Sequence, residues 1–309
     1  MIKLYNILKE VMVEDEKENT TETSVYDSVI KNALKVDTIP TVQGKYKLGD
    51  NKSPQGADLK IFNELYKVSP PKKEQEVGSA GTKGSGNGEI ALYWLFKYQN
   101  PSIPAQDSRG VDNPDLIIDG YGVEVKSSDK GDLQLGRFGH KDYKEITLLL
   151  NDIFSLYALS SVIAHQKPRI PTASNFNQNE LEEALESVIE LHKDENLKKL
   201  ADSFPMVSNV YKKTDIIFEK LSLEGNFSAK EAGGAVLKKL ILVKLTRKLI
   251  LDSKEPGYIV NISSNGNLKY YEITKEKIEN LENSTIMNDN NVTAKQSFIT
   301  IKPEVLFGK

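Results

Sequence analysis

Residues 113–128 read NPDLIIDGYGVEVKSS, and the fold turns on how this stretch is read. Leu116, Ile117 and Ile118 form a short apolar run rich in β-branched side chains, and Asp119-Gly120 is a favoured two-residue turn. Val123, Glu124, Val125 and Lys126 then alternate apolar with charged, so the stretch reads as a β-hairpin. Successive strand side chains point to opposite faces, which puts Glu124 and Lys126 together on one of them. If Asp115 opens the first strand, its carboxylate and that of Glu124 meet at one end of the hairpin beside the Lys126 ammonium. Mg²⁺ is commonly held by one or two carboxylates plus waters and substrate phosphate, so this pair is sufficient in number. The competing reading is an ordinary exposed hairpin face whose charges are simply solvated.

An acidic residue two positions before a lysine also occurs at Asp15, Asp58, Asp142 and Asp252, so the triplet alone carries no information. The Glu124 copy differs in lying on an alternating strand, following Pro114-Asp115 at hairpin distance and preceding the small polar Ser127 and Ser128. With Pro114-Asp115 as a first half-motif and Glu124-Val125-Lys126 as the second, the chain resembles the PD-(D/E)xK nuclease superfamily. The match covers one hairpin and at most one helix. The resemblance implies an α/β or α+β fold with a mixed central β-sheet flanked by helices, a restriction-endonuclease-like core carrying an N-terminal extension. It further implies a divalent-metal-dependent endonuclease that hydrolyses DNA phosphodiester bonds and leaves a 5′-phosphate. In that scheme Asp115 and Glu124 hold Mg²⁺, with Mn²⁺ as a substitute, and Lys126 orients the attacking water or steadies the transition state. A lysine beside carboxylates is held protonated by them, so a base role would need its pKa depressed.

Members of the superfamily often place an acidic residue on the helix before the Asp strand, which assigns Glu89 as a further ligand. Glu89 in a first helical turn also complements the helix dipole. Some families carry a glutamine after the lysine strand, and Gln134 stands at a suitable distance. The chain departs from the pattern between the first helix and the Asp strand, where another strand is common and only weak strand character occurs, at Arg109–Val111. Asp107 and Asp112 therefore compete with Asp115, which is preferred because it immediately precedes the apolar run. Lys130, Arg137 and Lys141 lie in or beside the glycine-containing stretch 129–140 after the hairpin, read as a mobile basic loop, and are candidate contacts to DNA phosphates. A restriction-type, phage or mobile-element enzyme fits the implied activity, and cutting both strands of a palindrome would call for a homodimer. The alternatives are a structure-specific repair nuclease, or a non-catalytic nucleic-acid-binding or assembly protein on the same fold.

The chain has 309 residues, enough for one large domain or two small ones. The absence of cysteine excludes disulfides, Cys-based zinc fingers, iron–sulfur clusters and a thiol nucleophile. His140, His165 and His192 show no metal-pair spacing, which disfavours a His-metal nuclease. A formal charge of −3 means that any nucleic-acid binding depends on a local basic surface. No apolar run approaches bilayer length, and Lys9 and Glu10 interrupt the N-terminus too early for a signal peptide, so the expectation is a cytoplasmic protein without a membrane partner.

Residues 1–77 are expected to form an extension: an amphipathic helix on Ile2, Tyr5, Leu8 and Met12, an acidic linker over 13–23, and an arm with one helix at Ala57–Tyr66. The rest, 78–309, is expected to be one catalytic domain with a helical insertion at about 143–250. It opens with the glycine-rich Gly78–Gly88 feeding the helical run Glu89–Phe96; no Walker lysine closes that loop. Helices are expected over 143–166 and 178–203. Leu237–Leu251 reads as a central core helix whose Lys238, Lys239, Lys244, Arg247 and Lys248 reach outward. Tyr258–Ile262 and Leu268–Ile273 read as a second hairpin extending the same sheet, followed by a charged helix from about Lys275 and a last strand at Phe298–Ile301.

Overall fold

Asp119 and Gly120 adopt φ of +51° and +81°, the paired positive values that a tight two-residue hairpin loop requires. They join β2 (Leu116–Ile118) to β3 (Tyr121–Ser127), which pair antiparallel with Leu116 opposite Val123 and Ile118 opposite Tyr121. The hairpin is thus as the sequence dictates. The structure is a computed structural model that describes residues 31–32, 35–37, 47–50, 52–67, 87–99, 105–107, 114–137, 144–250, 253–284, 292–295 and 298–308. The expected N-terminal helix, the acidic linker, most of the glycine-rich loop and Arg109–Val111 lie outside these residues.

The chain divides into two compact units, one of residues 1–133, 247–275 and 307–309, the other of residues 134–246 and 276–306. The first is built on a five-stranded mixed sheet in which β1 (Ala105–Asp107), β2, β3, β5 (Lys254–Ile262) and β6 (Leu268–Ile273) lie side by side in that order. Every pairing is antiparallel except β3 with β5, which run parallel with Glu124 beside Ile259 and Lys126 beside Asn261. The second hairpin does extend the first. The strand before β2 lies at Ala105–Asp107, pairing Asp107 with Leu116, earlier than the stretch where strand character was expected.

Leu116, Ile118, Val123, Val125, Val260 and Ile262 turn one face of this sheet toward α1 (Gly56–Lys67) and α2 (Asn87–Gln99). Phe62 and Leu65 of α1 and Leu92 and Phe96 of α2 are fully buried in that core. Each such side chain contributes roughly 1.5–3 kcal/mol by leaving water. The helix expected within an N-terminal arm is therefore part of the core of the first unit. Its apolar residues at positions 58–66 recur at helical spacing, and the prolines around it mark its ends rather than an appendage. Gly88 lets α2 start hard against the sheet, since a Cβ there would meet Ser127 Oγ at 2.7 Å.

On the opposite face, the π-helical turn Thr246–Ile250 lies against β3 and β5. A Cβ at Gly257 would stand 2.5 Å from Leu249 Cβ and 2.6 Å from its carbonyl oxygen, and one at Gly122 would meet Lys248 O at 3.3 Å. Two glycines on neighbouring strands thus admit the turn. Gly257→Ala is expected to destabilise the protein by roughly 1–3 kcal/mol through overpacking against backbone, read as a fall in the urea midpoint at unchanged m.

The second unit is largely helical. α3 (Lys144–Ile163) packs on α4 (Gln178–Lys193), whose Leu181, Leu185 and Val188 are fully buried; α5 (Glu195–Ala201) packs on α6 (Pro205–Lys220), and α6 and α7 (Ala229–Leu245) also pack on α4. The helix expected over 178–203 is two, because Asp194 leaves helical geometry and caps α5 through the amides of Asn196 and Leu197. Capping boxes at Asn177/Glu180 and Ser228/Glu231 start α4 and α7. The expected core helix Leu237–Leu251 stops as an α-helix at Leu245 and widens into the π-helical turn. A small sheet orders β4 (Leu133–Arg137), β8 (Phe298–Ile301) and β7 (Val292–Lys295), with α8 (Lys275–Glu282) before it and α9 (Pro303–Phe307) closing the described chain. The stretch read as a mobile basic loop is therefore partly strand, for Leu133 and Leu135 are buried on alternate positions around exposed Gln134.

Among the described residues one helix, α3, is long and apolar enough to cross a bilayer, contrary to the expectation that no apolar run approaches that length. Asn151 and Asp152 interrupt its apolar sequence, and Ile146, Leu149, Leu150, Ile153 and Phe154 are buried, as in a core helix packed on α4.

Candidate active site

Extending the β2–β3 register by one residue sets Asp115 opposite Glu124, and the Val125 amide donates to Asp115 Oδ2 at 2.8 Å. Two carboxylates are thereby held side by side on one face, an arrangement that costs energy unless cations intervene. Lys126 supplies one: its Nζ donates to Glu124 Oε1 at 2.6 Å and stands 3.8 Å from Asp115 Oδ2. Lys248 supplies another, reaching from the π-helical turn to donate to both Glu124 oxygens, at 3.0 and 2.8 Å. All four residues belong to the first unit. The Glu124 side chain is 3% exposed, against 18% for Asp115, 19% for Lys126 and 13% for Lys248, so the carboxylate at the centre of the cluster is its most secluded member.

The burial is unequal in its consequences. Seclusion opposes ionisation of Glu124, but the ammonium groups of Lys126 and Lys248 outweigh it and hold the carboxyl at about 2. For Lys126 burial disfavours the charged form, yet Glu124, Asp115 and more distantly Glu89 overcome it and raise the pKa above the usual lysine value. Asp115 shifts the other way. Its burial and the neighbouring Glu124 charge raise its pKa against the opposing pull of Lys126, Lys248 and the Val125 amide. Asp115 is therefore the strained member, its charged form disfavoured by the fold. Asp115→Asn is expected to raise the urea midpoint at neutral pH in EDTA, because Asn keeps an acceptor for the Val125 amide and has no ionisation for the fold to oppose. A lower midpoint would mean that Asp115 is simply one half of a favourable ion pair.

Glu89 sits in the first turn of α2, partly buried, and its charge acts on Lys126, so it belongs to the electrostatic field of the cluster. Among the described residues no three His, Cys, Asp or Glu side chains converge as a ready metal-binding group. The donors on hand are the two carboxylates and, beside Lys126 in register on β5, the side chain of Asn261. Asn261 is buried; its Nδ2 donates to the Ser128 carbonyl at 3.1 Å, and its Oδ1 is a buried acceptor without a partner among the described residues. Two carboxylates with an unsatisfied amide oxygen nearby fit a hard cation that prefers oxygen and keeps some of its waters.

Gln134 is exposed on β4 in the second unit and takes no part in the bonds of the cluster. Lys130 is exposed, its amide donating to Ser128 Oγ at 3.3 Å, just beyond the lysine strand. Arg137 ends β4, while Lys141 and Asp112 lie outside the described residues; Asp107 is placed on β1 by its backbone. Lys248 and Asn261 were not legible as site residues. Lys248 was expected to face outward from a core helix, and its 13% exposure and bond to Glu124 correct that; Lys244, at 5% exposure, is also buried rather than outward. The signal that could have found Lys248 is weak: an excess of cations on an apolar segment leaves some of them needing a buried partner. No protein-family model matches this chain, and neither a curated protein nor a solved structure matches it.

Proposed function

We propose that this chain is a divalent-metal-dependent endonuclease that hydrolyses DNA phosphodiester bonds, built on a PD-(D/E)xK core. The observation that carries the reading is the convergence of Asp115, Glu124 and Lys126, with one ammonium 2.6 and 3.8 Å from oxygens of the two carboxylates. Supporting it are a helix bearing Glu89, a strand β1, then the hairpin, in the chain order that the superfamily resemblance implies. When bound, Mg²⁺ or Mn²⁺ would lower the pKa of a water and offset charge building on the phosphoryl oxygens. Asp115 and Glu124 are the residues that would hold it, and Asn261 Oδ1 is a further oxygen in the neighbourhood. Lys126 stays an ammonium between the carboxylates, where it orients the nucleophile or the phosphate rather than removing a proton. Lys130 is an exposed cation three residues beyond the end of β3, available to a backbone phosphate.

The test is cleavage of supercoiled plasmid and linear duplex DNA with Mg²⁺ or Mn²⁺, against EDTA and the Asp115→Ala and Lys126→Ala variants. Metal-dependent cutting by the wild type, lost in both folded variants, is the expected result. Cutting that survives both substitutions would place the chemistry elsewhere.

A second reading draws on a specific observation. Lys126 and Lys248 together donate three bonds to Glu124, so that carboxylate is engaged without a metal. That is how a purely structural ion cluster would look, in a non-catalytic nucleic-acid-binding or assembly protein. The Asp115→Asn stability measurement separates the readings, because a structural cluster has no reason to retain a strained carboxylate.

A further inference from the structure

We propose that Lys248 is the resident counter-cation of Glu124, occupying the position of a chelated divalent ion and leaving it when the metal enters. The inference rests on the metal-site reading above and adds to it how the empty site is kept folded.

The geometry is that of a chelate. Lys248 Nζ lies 3.0 and 2.8 Å from the two oxygens of one carboxylate, and so sits near the bisector on which a cation bound by both oxygens would be found. Lys126 takes a further bond at Oε1. A carboxylate offers about four lone-pair directions, so these three bonds leave Glu124 little capacity for a metal unless one of them is given up. Charge points to the same exchange. Lys126 and Lys248 both pair with Glu124, and a divalent ion added with both ammonium groups in place would leave a half-buried excess of positive charge.

Lys248 is the ammonium suited to leave. Lys126 is tied to the central strand β3 between both carboxylates and is fixed by the hairpin itself. Lys248 comes from a π-helical turn, an irregularity that recurs at functional sites. The turn's backbone is pressed against Gly122 and Gly257, so its base is held while four methylenes carry the ammonium. The side chain can swing without moving the turn. Its length and remaining charge then suit an oxygen of the substrate phosphate.

The experiment uses the full chain. Lysine acylation followed by mass spectrometry, in EDTA and in Mn²⁺, reads Lys248 directly in the wild-type protein, with exposed Lys130 as the internal reference. Lys248 labelling is expected to rise several-fold on adding Mn²⁺ while Lys130 is unchanged; equal labelling of Lys248 in both conditions overturns the proposal. In parallel, Mn²⁺ affinity is measured for the wild type, Lys248→Gln and Asp115→Ala. Removing the competing cation is expected to tighten Mn²⁺ binding on the order of tenfold, and to make the unfolding temperature of Lys248→Gln more dependent on Mn²⁺ than that of the wild type. If Lys248→Gln does not fold, the wild-type labelling decides. Mn²⁺ binding that needs Asp115 but is unchanged or weaker in a folded Lys248→Gln refutes the exchange and leaves the metal site standing. If neither wild type nor Lys248→Gln takes up Mn²⁺, the exchange and the metal site fall together.

Discussion

Glu124→Ala is expected to lower the unfolding free energy by about 3–5 kcal/mol in the absence of metal, the usual cost of removing one partner of a buried ion pair. Glu124 accepts three short bonds from ammonium groups, one from Lys126 at 2.6 Å and two from Lys248 at 3.0 and 2.8 Å. Its loss strands two ammonium groups whose side chains are 19% and 13% exposed, leaving Asp115 3.8 Å from Lys126 and the more distant Glu89 as anionic neighbours among the described residues. The loss is one of uncompensated charge more than of packing, and a second substitution tests this. Lys248→Met placed on the Glu124→Ala background should recover part of the stability, since it removes one of the stranded cations. If the double variant is as unstable as the sum of the singles, the cluster is not the coupled unit that its geometry describes.

The same residue sets the acid limb of stability. Glu124 titrates at about 2 in the folded protein against an ordinary value of 4.5, so the folded state binds its proton later than the unfolded chain does. Its contribution, on the order of 3 kcal/mol, is fully present above about pH 4.5 and is lost as pH falls through about 2. Asp115 works with the opposite sign, because its raised pKa makes its ionisation unfavourable to folding above that value. The gap in urea midpoint between wild type and Glu124→Ala should therefore narrow as pH falls from 4.5 toward 2.

How much of this was legible depended on the range of the interaction involved. The hairpin could be read because turn chemistry, β-branched content and alternation are properties of neighbouring residues, and Asp119-Gly120 adopts the conformation its sequence favours. The pairing of Asp115 with Glu124 followed from the hairpin once its register was right. The second hairpin was legible for the same reason, but its parallel alignment with β3, which places Asn261 beside Lys126, joins residues more than a hundred positions apart and leaves no local signal. Lys248 is the clearest case. On the sequence it is one of five cations on an apolar segment, and helical periodicity alone sends it outward to solvent. Only the end of the α-helix at Leu245, the widened turn after it and the two glycines that admit that turn bring it to Glu124. The arm was misjudged in a related way, since prolines and glycines between residues 40 and 71 suggested a loose appendage while Phe62 and Leu65 were bound for the core.

Under the nuclease proposal Lys126→Met is expected to lower DNA cleavage by roughly 10²–10⁴-fold, and Lys126→Arg is the substitution that shows why. Glu124 and Asp115 raise the Lys126 pKa above the usual lysine value despite its burial, which leaves almost no free amine at neutral pH. A general base in that position would have to give up its proton first, against the pull of both carboxylates. An ammonium needs no such step, and it already stands between the two carboxylates. Arginine cannot act as a base, yet it can hold a charge and donate hydrogen bonds. Under the cationic role Lys126→Arg therefore retains a measurable share of the cleavage that Lys126→Met loses, and the Arg enzyme shows the same pH dependence as wild type between pH 6 and about pH 9. Under the base role Arg and Met are equally inactive in single-turnover cleavage of a defined duplex, and the reading of Lys126 as an orienting cation is overturned.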